Sequence, residues 1–522
     1  MAPNRIIDAL ENLILETPVS ESGKRILLVG AEAMPYAKVG GYSIVLLYLS
    51  RALKNQGHDV RIFMPKFGFI DQQENYELEM LVEGLKIPTG SEVEPDLICN
   101  VKTHVNQYGI TTYFLENMEY YEKRANVYGY YDDPIRWGLL CRGVLEFIKT
   151  KEFVPEIIHT NDWHTGLVAN FLKTVYKKDP DLKDIATLHT IHSIAHQGNI
   201  VSQNTSELDY DDGQNALPGL LEDRFLKLNF MRRGIIYSDA VNTVSKTYAK
   251  EILTPEYGCG LDKLLLEVRS KLFGIINGMD YEEFNPATDK YIDTNFDVKS
   301  IDRRVKNKLA LQDEMDLAVS EDTLLFGFVG RLDHQKGVDL IVKTLDQALK
   351  EYNIQFVQVG GGDEYIVDLL KNLKAKYPQK VGIHTYPNFV LPRLFFAGAD
   401  VILYPSRFEP CGIVQLEAMR YGSIPMVRKV GGLNDTVTDF DSQTLEGTGF
   451  VFKEFNEMSL FGQIARAVEL YKHKPIWKKL QHNCLLEDFS WDFSAKQYTK
   501  LYDTCQSLLV KPYPKSYDPL ES

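Results

Sequence analysis

The chain predicts an α/β protein of two doubly wound units, and three observations carry that reading. Its 522 residues exceed one core on a prior of ~100 to 200 residues per domain. Short aliphatic or β-branched runs alternate with amphipathic stretches from Arg25 onward, and a second such series starts at Leu324. Between them, after Asn277, lies a polar, proline-bearing stretch, NGMDYEEFNPATDKYI. Hydrophobic residues at 44% and charged residues at 25% are globular values, which excludes a disordered or fibrous chain.

Taken in order, Ile6, Ile7, Leu10, Leu13 and Ile14 recur at helical spacing, so residues 1–23 read as an amphipathic helical extension. With one arginine against Asp8, Glu11, Glu16 and Glu21 it lacks the positive charge of a secretory signal or transit peptide. RILLV at Arg25 to Val29 is a buried strand, a glycine-bearing loop runs to Gly41, and Ser43 to Asn55 is a helix that stops before Gly57. Strands follow at Val60 to Met64, Thr112 to Leu115, Ile157 to His159 and Ile185 to His189, with helices Trp137 to Lys149 and Gly166 to Lys177 between them. A charged helical stretch ends near Leu311. The second series has strands at Leu324 to Val329, Gln355 to Val359, Gly382 to Thr385, Val401 to Tyr404 and Ile424 to Val427. The expected domains are therefore 24–285 and 286–490, two facing Rossmann-like domains with ligand at the carboxyl ends of both sheets.

Charge and cysteine content narrow the partners. Lys+Arg 58 against Asp+Glu 72 gives −14 with no long basic run, which argues against nucleic acid. No apolar run reaches the ~18 residues of a membrane span. Six scattered cysteines without CxxC spacing read as thiols of a reducing compartment, and cytoplasmic localisation is expected.

Three loops have the residue types for anionic-ligand chemistry. Lys38, Val39, Gly40 and Gly41 follow the first strand region and open a helix, where amides, the helix terminus and Lys38 could meet an anion; a plain strand-to-helix turn is the alternative. Gly330 to Gly337 (GRLDHQKG) stands at the same place in the second series, and Arg331 and Lys336 could share one pyrophosphate, or be surface charges. Pro405 to Gly422 (PSRFEPCGIVQLEAMRYG) holds Glu409 in a proline-bounded loop beside Cys411, and Gly412 to Arg420 can start a helix bearing Glu417. Histidines concentrate at His159, His164, His189, His192 and His196, where a polar ligand, the core or a metal would each suit imidazole. Asp209, Tyr210 and Asp211 form a DxD triplet that also occurs by chance.

These stretches together resemble the bacterial glycogen synthase and plant starch synthase family. The resemblance rests on AEAMPYAKVGG, HTNDWHTGL (His159 to Leu167), TIHSIAHQG (Thr190 to Gly198), INGMDYEEFNP, GRLDHQKG and PSRFEPCGIVQLEAMRYG. It continues through VGGLNDTV (Val430 to Val437), GTGF (Gly447 to Phe450) and FSWDFSAKQY (Phe489 to Tyr498). It implies a glycosyltransferase B fold, with residues 491–522 forming a helix that crosses back to the first domain and a tail. It also implies retaining transfer of glucose from ADP-glucose or UDP-glucose to an α-1,4-glucan, with no metal or other cofactor. On this resemblance Lys38, Arg331 and Lys336 neutralise the leaving diphosphate, Glu409 holds sugar hydroxyls, and Glu417 holds the ribose. His192 and Asp162 line the donor sugar and the acceptor side. Asn277 and Tyr386 lie near the nucleotide, with Gly40, Gly41, Cys411, Gly412 and Ile413 in the donor-binding loops. The chain departs from the family pattern at Ile44, where an aspartate is usual, at Val39, where threonine is usual, and at Ser193 and His196 in HSIAHQG. These departures leave two alternatives: a transferase with another donor sugar or acceptor, and a glucan-binding protein without turnover.

Overall fold

A computed structural model describes residues 23–72, 76–198 and 211–510. The helix expected within residues 1–23 and most of the DxD triplet lie outside the described residues. The chain divides into two units. Unit 1 comprises Met1–Val244, Ala249–Gly278 and Trp491–Ser522, and unit 2 comprises Ser245–Tyr248 and Met279–Ser490. The division thus falls at Gly278 rather than at residue 285, because Met279 donates its backbone N–H to Phe489 O at 2.7 Å inside unit 2.

Unit 1 has one nine-stranded sheet in the order β3-β4-β5-β2-β1-β6-β7-β8-β9. Its strands are β1 (Arg25–Val29), β2 (Asp59–Pro65), β3 (Glu79–Pro88), β4 (Asp96–Val105), β5 (Thr111–Glu116), β6 (Ile157–Asn161), β7 (Ala186–Ile191), β8 (Ala240–Thr243) and β9 (Leu272–Gly274). The β3–β4 and β4–β5 pairs are antiparallel and the others parallel. Fully buried runs such as Ile26–Val29 are what a parallel strand covered on both faces requires. The helix α1 (Tyr42–Asn55) returns from β1 to β2. The C-terminal helix Trp491–Val510 is held to unit 1 by polar bonds: Lys24 to Asp503 at 2.8 Å, Tyr502 Oη to His159 Nδ1 at 2.9 Å, and Asn242 to Tyr498 Oη at 3.1 Å.

Unit 2 has six parallel strands in the order β12-β11-β10-β13-β14-β15. They are β10 (Leu324–Val329), β11 (Ile354–Val359), β12 (Val381–His384), β13 (Val401–Tyr404), β14 (Ile424–Arg428) and β15 (Phe450–Phe452). In sequence order this is 3-2-1-4-5-6, the doubly wound order, whose crevice opens where the chain reverses direction across the sheet. The reversal lies between β10 and β13, and in unit 1 between β1 and β6. The loops leaving these four strands carry most of the candidate residues. The helices α2 (Val338–Glu351) and α3 (Val414–Arg420) follow the unit 2 loops. The expectation that helix begins at Gly412 is corrected by the backbone: Gly412 has φ +75°, a left-handed conformation, so α3 starts at Val414.

Among the described residues no helix is long and apolar enough to cross a membrane. No disulfide links the six cysteines, all of which are described.

Candidate functional site

In unit 2, the loop after β10 and the loop after β13 meet at one buried ion pair. Lys336 Nζ lies 2.6 Å from Glu409 Oε2 and 2.7 Å from Tyr404 Oη, while Ser406 Oγ donates to the same carboxylate oxygen at 3.0 Å. Burial by itself would lower the Lys336 ammonium, but the adjoining Glu409 carboxylate and Tyr404 oxygen raise it above the ordinary lysine range. Backbone shape fixes this meeting. Gly337 has φ +70°, and a Cβ there would stand 2.4 Å from Pro405 O, so the two loops touch only because residue 337 has no side chain. Arg407 then ties them, with two bonds to Asp339 at 2.9 and 2.8 Å and one to His334 O at 2.6 Å.

The other unit 2 candidates lie near this pair in sequence, apart from Tyr386. Arg331 is well exposed at 71% of its side chain and pairs with Asp333 at 3.1 Å, a surface cation at the loop tip. Cys411 is buried, and its carbonyl accepts from Gln415 Nε2 at 3.3 Å. Gly412 and Ile413 are half-buried ahead of α3, and Glu417, also half-buried, sits in the first turn of α3. Tyr386 follows β12 as an exposed ring, edge-on to His384 at 6.3 Å.

In unit 1, Asp162 and His192 come together at the ends of β6 and β7. Asp162 adopts φ +54°, uncommon for a residue with a side chain, and its buried Oδ1 accepts the N–H of His192 at 2.8 Å and of Ser193 at 3.4 Å. Burial pushes the Asp162 carboxyl up to about 7, against the lowering effect of those amides. His192 is pushed down to about 3, chiefly by burial, and its Nε2 lies 3.0 Å from Asn161 Oδ1. Asn277 is buried, and its Oδ1 has no hydrogen-bond partner among the described residues.

The glycine loop differs from the expectation of an amide cradle for an anion. The buried carboxylate of Glu32 accepts the N–H of Val39, and of Gly40 at 2.8 Å, so those two amides are already satisfied from within. Gly40 is glycine because a Cβ would meet Glu32 Oε1 at 2.8 Å, whereas a Cβ on Gly41 would meet nothing within 4 Å. Lys38 stands exposed at the loop tip. Glu32 was not singled out by the sequence; the available signal was an acid between two alanines just beyond a strand, a place where only a specific partner would bury it.

The histidine cluster resolves into separate roles. His159 bonds Tyr502 and Thr190, and His189 bonds Thr160 with Met231 Sδ beside it, so both are core residues. His196 is exposed. Among the described residues no three His, Cys, Asp or Glu side chains are grouped to hold a metal. Asp211 of the DxD triplet accepts from Arg233 at 2.8 and 3.0 Å in a buried ion pair, a structural use for that carboxylate.

Comparison with known proteins gives two family models, the starch synthase catalytic domain over residues 25–267 and glycosyl transferases group 1 over residues 312–482. Glycogen synthase of Thermotoga petrophila is 40% identical over 484 residues, covering 92% of this chain and 98% of that one. Glycogen synthase of Moorella thermoacetica is 39% identical over 92% and 96% respectively. The solved catalytic domain of starch synthase IV from Arabidopsis thaliana, bound to ADP and acarbose, matches with a TM-score of 0.79 at 30% identity, covering 93% of this chain and 100% of that one.

Proposed function

Because this chain belongs to the glycogen synthase and starch synthase family of glycosyltransferases, we propose that it transfers glucose from ADP-glucose or UDP-glucose to the nonreducing end of an α-1,4-glucan, with retention and without a metal or other cofactor. The observation that carries the reading is the Lys336–Glu409 pair. A buried ion pair is a poor source of stability, and its presence at the strand reversal of unit 2 suits a site that meets a charged ligand.

In this reading Lys336 and Arg331 take up the negative charge that grows on the departing nucleoside diphosphate as the glycosidic bond breaks, the contribution a metal supplies elsewhere. Glu409, held by Ser406 and Lys336, accepts hydrogen bonds from donor-sugar hydroxyls. Glu417 takes the ribose hydroxyls, Tyr386 offers an exposed ring to the base, and Cys411, Gly412 and Ile413 border the phosphates. In unit 1 Asp162 is poised near neutrality, which suits a carboxylate that receives the acceptor hydroxyl proton. His192 borders the donor sugar, and the orphaned Asn277 Oδ1 gains a donor when the nucleotide binds. The vacant space beside Gly41 lets a ligand approach the backbone next to Lys38. The reading places the enzyme in the cytoplasm, where nucleotide sugars are made.

Purified protein offered ADP-glucose and UDP-glucose separately, with glycogen or maltooligosaccharides and EDTA, tests this directly. The ADP held by the Arabidopsis starch synthase makes ADP-glucose the first donor to try. Elongated glucan is the expected product; binding of both donors without any transfer overturns the reading. Ile44, a half-buried apolar side chain three residues past Gly41, favours a second reading with a different sugar or acceptor, which diphosphate release without glucan growth would reveal.

A further inference from the structure

Tyr42 opens α1 directly behind the exposed glycine loop, yet it is only 7% exposed. Its ring stacks on His192 with centroids 5.3 Å apart and 24° between planes, and on His164 at 6.1 Å and 27°. Its hydroxyl oxygen accepts the Ala31 N–H at 3.1 Å and lies 3.1 Å from Tyr128 Oη. Tyr128 donates to Glu32 at 3.0 Å, so its oxygen is the acceptor for Tyr42. The bonds then run one way, Tyr42 to Tyr128 to Glu32, and end on the carboxylate that also holds Val39 and Gly40.

The opposite constraint on His192 comes from Asn161. Its Nδ2 donates to Val29 O at 3.1 Å and His159 O at 3.3 Å, which fixes the amide and leaves Oδ1 as an acceptor toward the ring. His192 therefore carries its proton on Nε2 and donates it at 3.0 Å. One hydrogen bond fixes one edge of an imidazole but not its plane, because the ring can still swing about that bond. The plane is set by the stacked phenol.

We infer that Tyr42 is a positioning residue: its ring fixes the plane of His192, whose tautomer Asn161 sets, and its hydroxyl ties that plane to the loop carrying Lys38. The consequence for turnover rests on the glucosyltransferase reading, in which His192 borders the donor sugar. A small misplacement of such a group costs rate more than binding.

The test compares full-length wild type, Tyr42→Phe and Tyr42→Leu. Histidine-ring NMR, with His192 assigned from the signal lost in His192→Gln, is expected to show a fixed Nε2–H tautomer in wild type and Tyr42→Phe. In Tyr42→Leu the tautomer should persist, because Asn161 sets it, while the order parameter from carbon relaxation at His192 Cδ2 should fall as the plane is released. In glucan elongation, Tyr42→Leu should lower kcat about tenfold with KM for the donor changed less than about twofold, and Tyr42→Phe should retain kcat within about threefold. A His192 ring as rigid in Tyr42→Leu as in wild type overturns the proposal, as does an unchanged kcat alongside active wild type. If wild type transfers no glucose, the glucosyltransferase reading fails, and the NMR result alone decides whether Tyr42 positions His192. Should Tyr42→Leu melt below the assay temperature, Tyr42→Met replaces it under the same criteria.

Discussion

The loops that leave β1 and β10 occupy equivalent places in the two sheets, and each carries at least one basic residue beside a buried carboxylate, supplied by the β1 loop itself in unit 1 and by the loop after β13 in unit 2. In unit 2 the carboxylate, Glu409, grips the lysine side chain itself, while the neighbouring Arg331 remains exposed. In unit 1 the carboxylate, Glu32, grips the backbone of the loop and leaves Lys38 at the surface. One arrangement fixes the position of a charge; the other fixes the shape of a loop whose lysine stands at the surface. A buried ammonium with a fixed partner is already organised for a transition state, whereas a surface lysine must give up rotamer freedom when a ligand arrives.

The largest expected effect is on the unit 2 pair. Glu409→Ala should abolish measurable turnover, a loss of about a thousandfold or more, with the circular dichroism of the folded chain kept. Near-normal transfer by that variant would remove Glu409 from the reaction and dissolve the contrast. Next come the exposed cations. Arg331→Met should lower kcat about a hundredfold and Lys38→Met about tenfold, with melting temperatures unchanged because both side chains are exposed. If Lys38→Met transfers glucose at the wild-type rate, the two loops share a place in the fold but not a task.

Smaller effects fall on stability. Gly337→Ala forces a Cβ against Pro405 O at a left-handed backbone position and should cost about 2 kcal/mol or more, read from denaturant unfolding. Glu32→Gln turns an amide N–H₂ toward the Val39 or Gly40 N–H and should cost about 1 to 3 kcal/mol, while leaving the turnover contribution of Glu409 intact. A drop in melting temperature with Glu32→Gln, but no change in the Lys38→Met effect on kcat measured in that background, would separate loop shape from loop charge.

The last effect is a pH dependence. Asp162 is pushed up to about 7, so the folded chain retains a proton that the unfolded carboxyl releases near about 3.9. Stability linked to this group is present below the unfolded value and is lost as pH rises through about 7. Asp162→Asn stays neutral throughout, so its stability relative to wild type should increase across that window in chemical denaturation. A flat difference from pH 4 to pH 8 would show that Asp162 is an ordinary carboxylate.

The sequence by itself determined several strands buried on both faces, though not β8 or β9. β1, β10 and β13 have the predicted limits because a parallel strand covered by helices is an unbroken aliphatic run with polar ends. It did not reveal β3 and β4, whose burial alternates imperfectly across an irregular antiparallel pair, so neither a strand period nor a continuous run stands out. It also identified Lys336 and Glu409 as residues of two charged loops, because charge in a loop beside glycine and proline has few purely structural uses. Only the tertiary structure decided that they form one pair, that Arg407 and Gly337 hold the loops together, and that Glu32 rather than a ligand satisfies the glycine-loop amides. Periodicity records how a segment meets the core it helps to make, whereas a contact between residues 336 and 409 depends on the order of strands in a sheet, which no local stretch of chain contains.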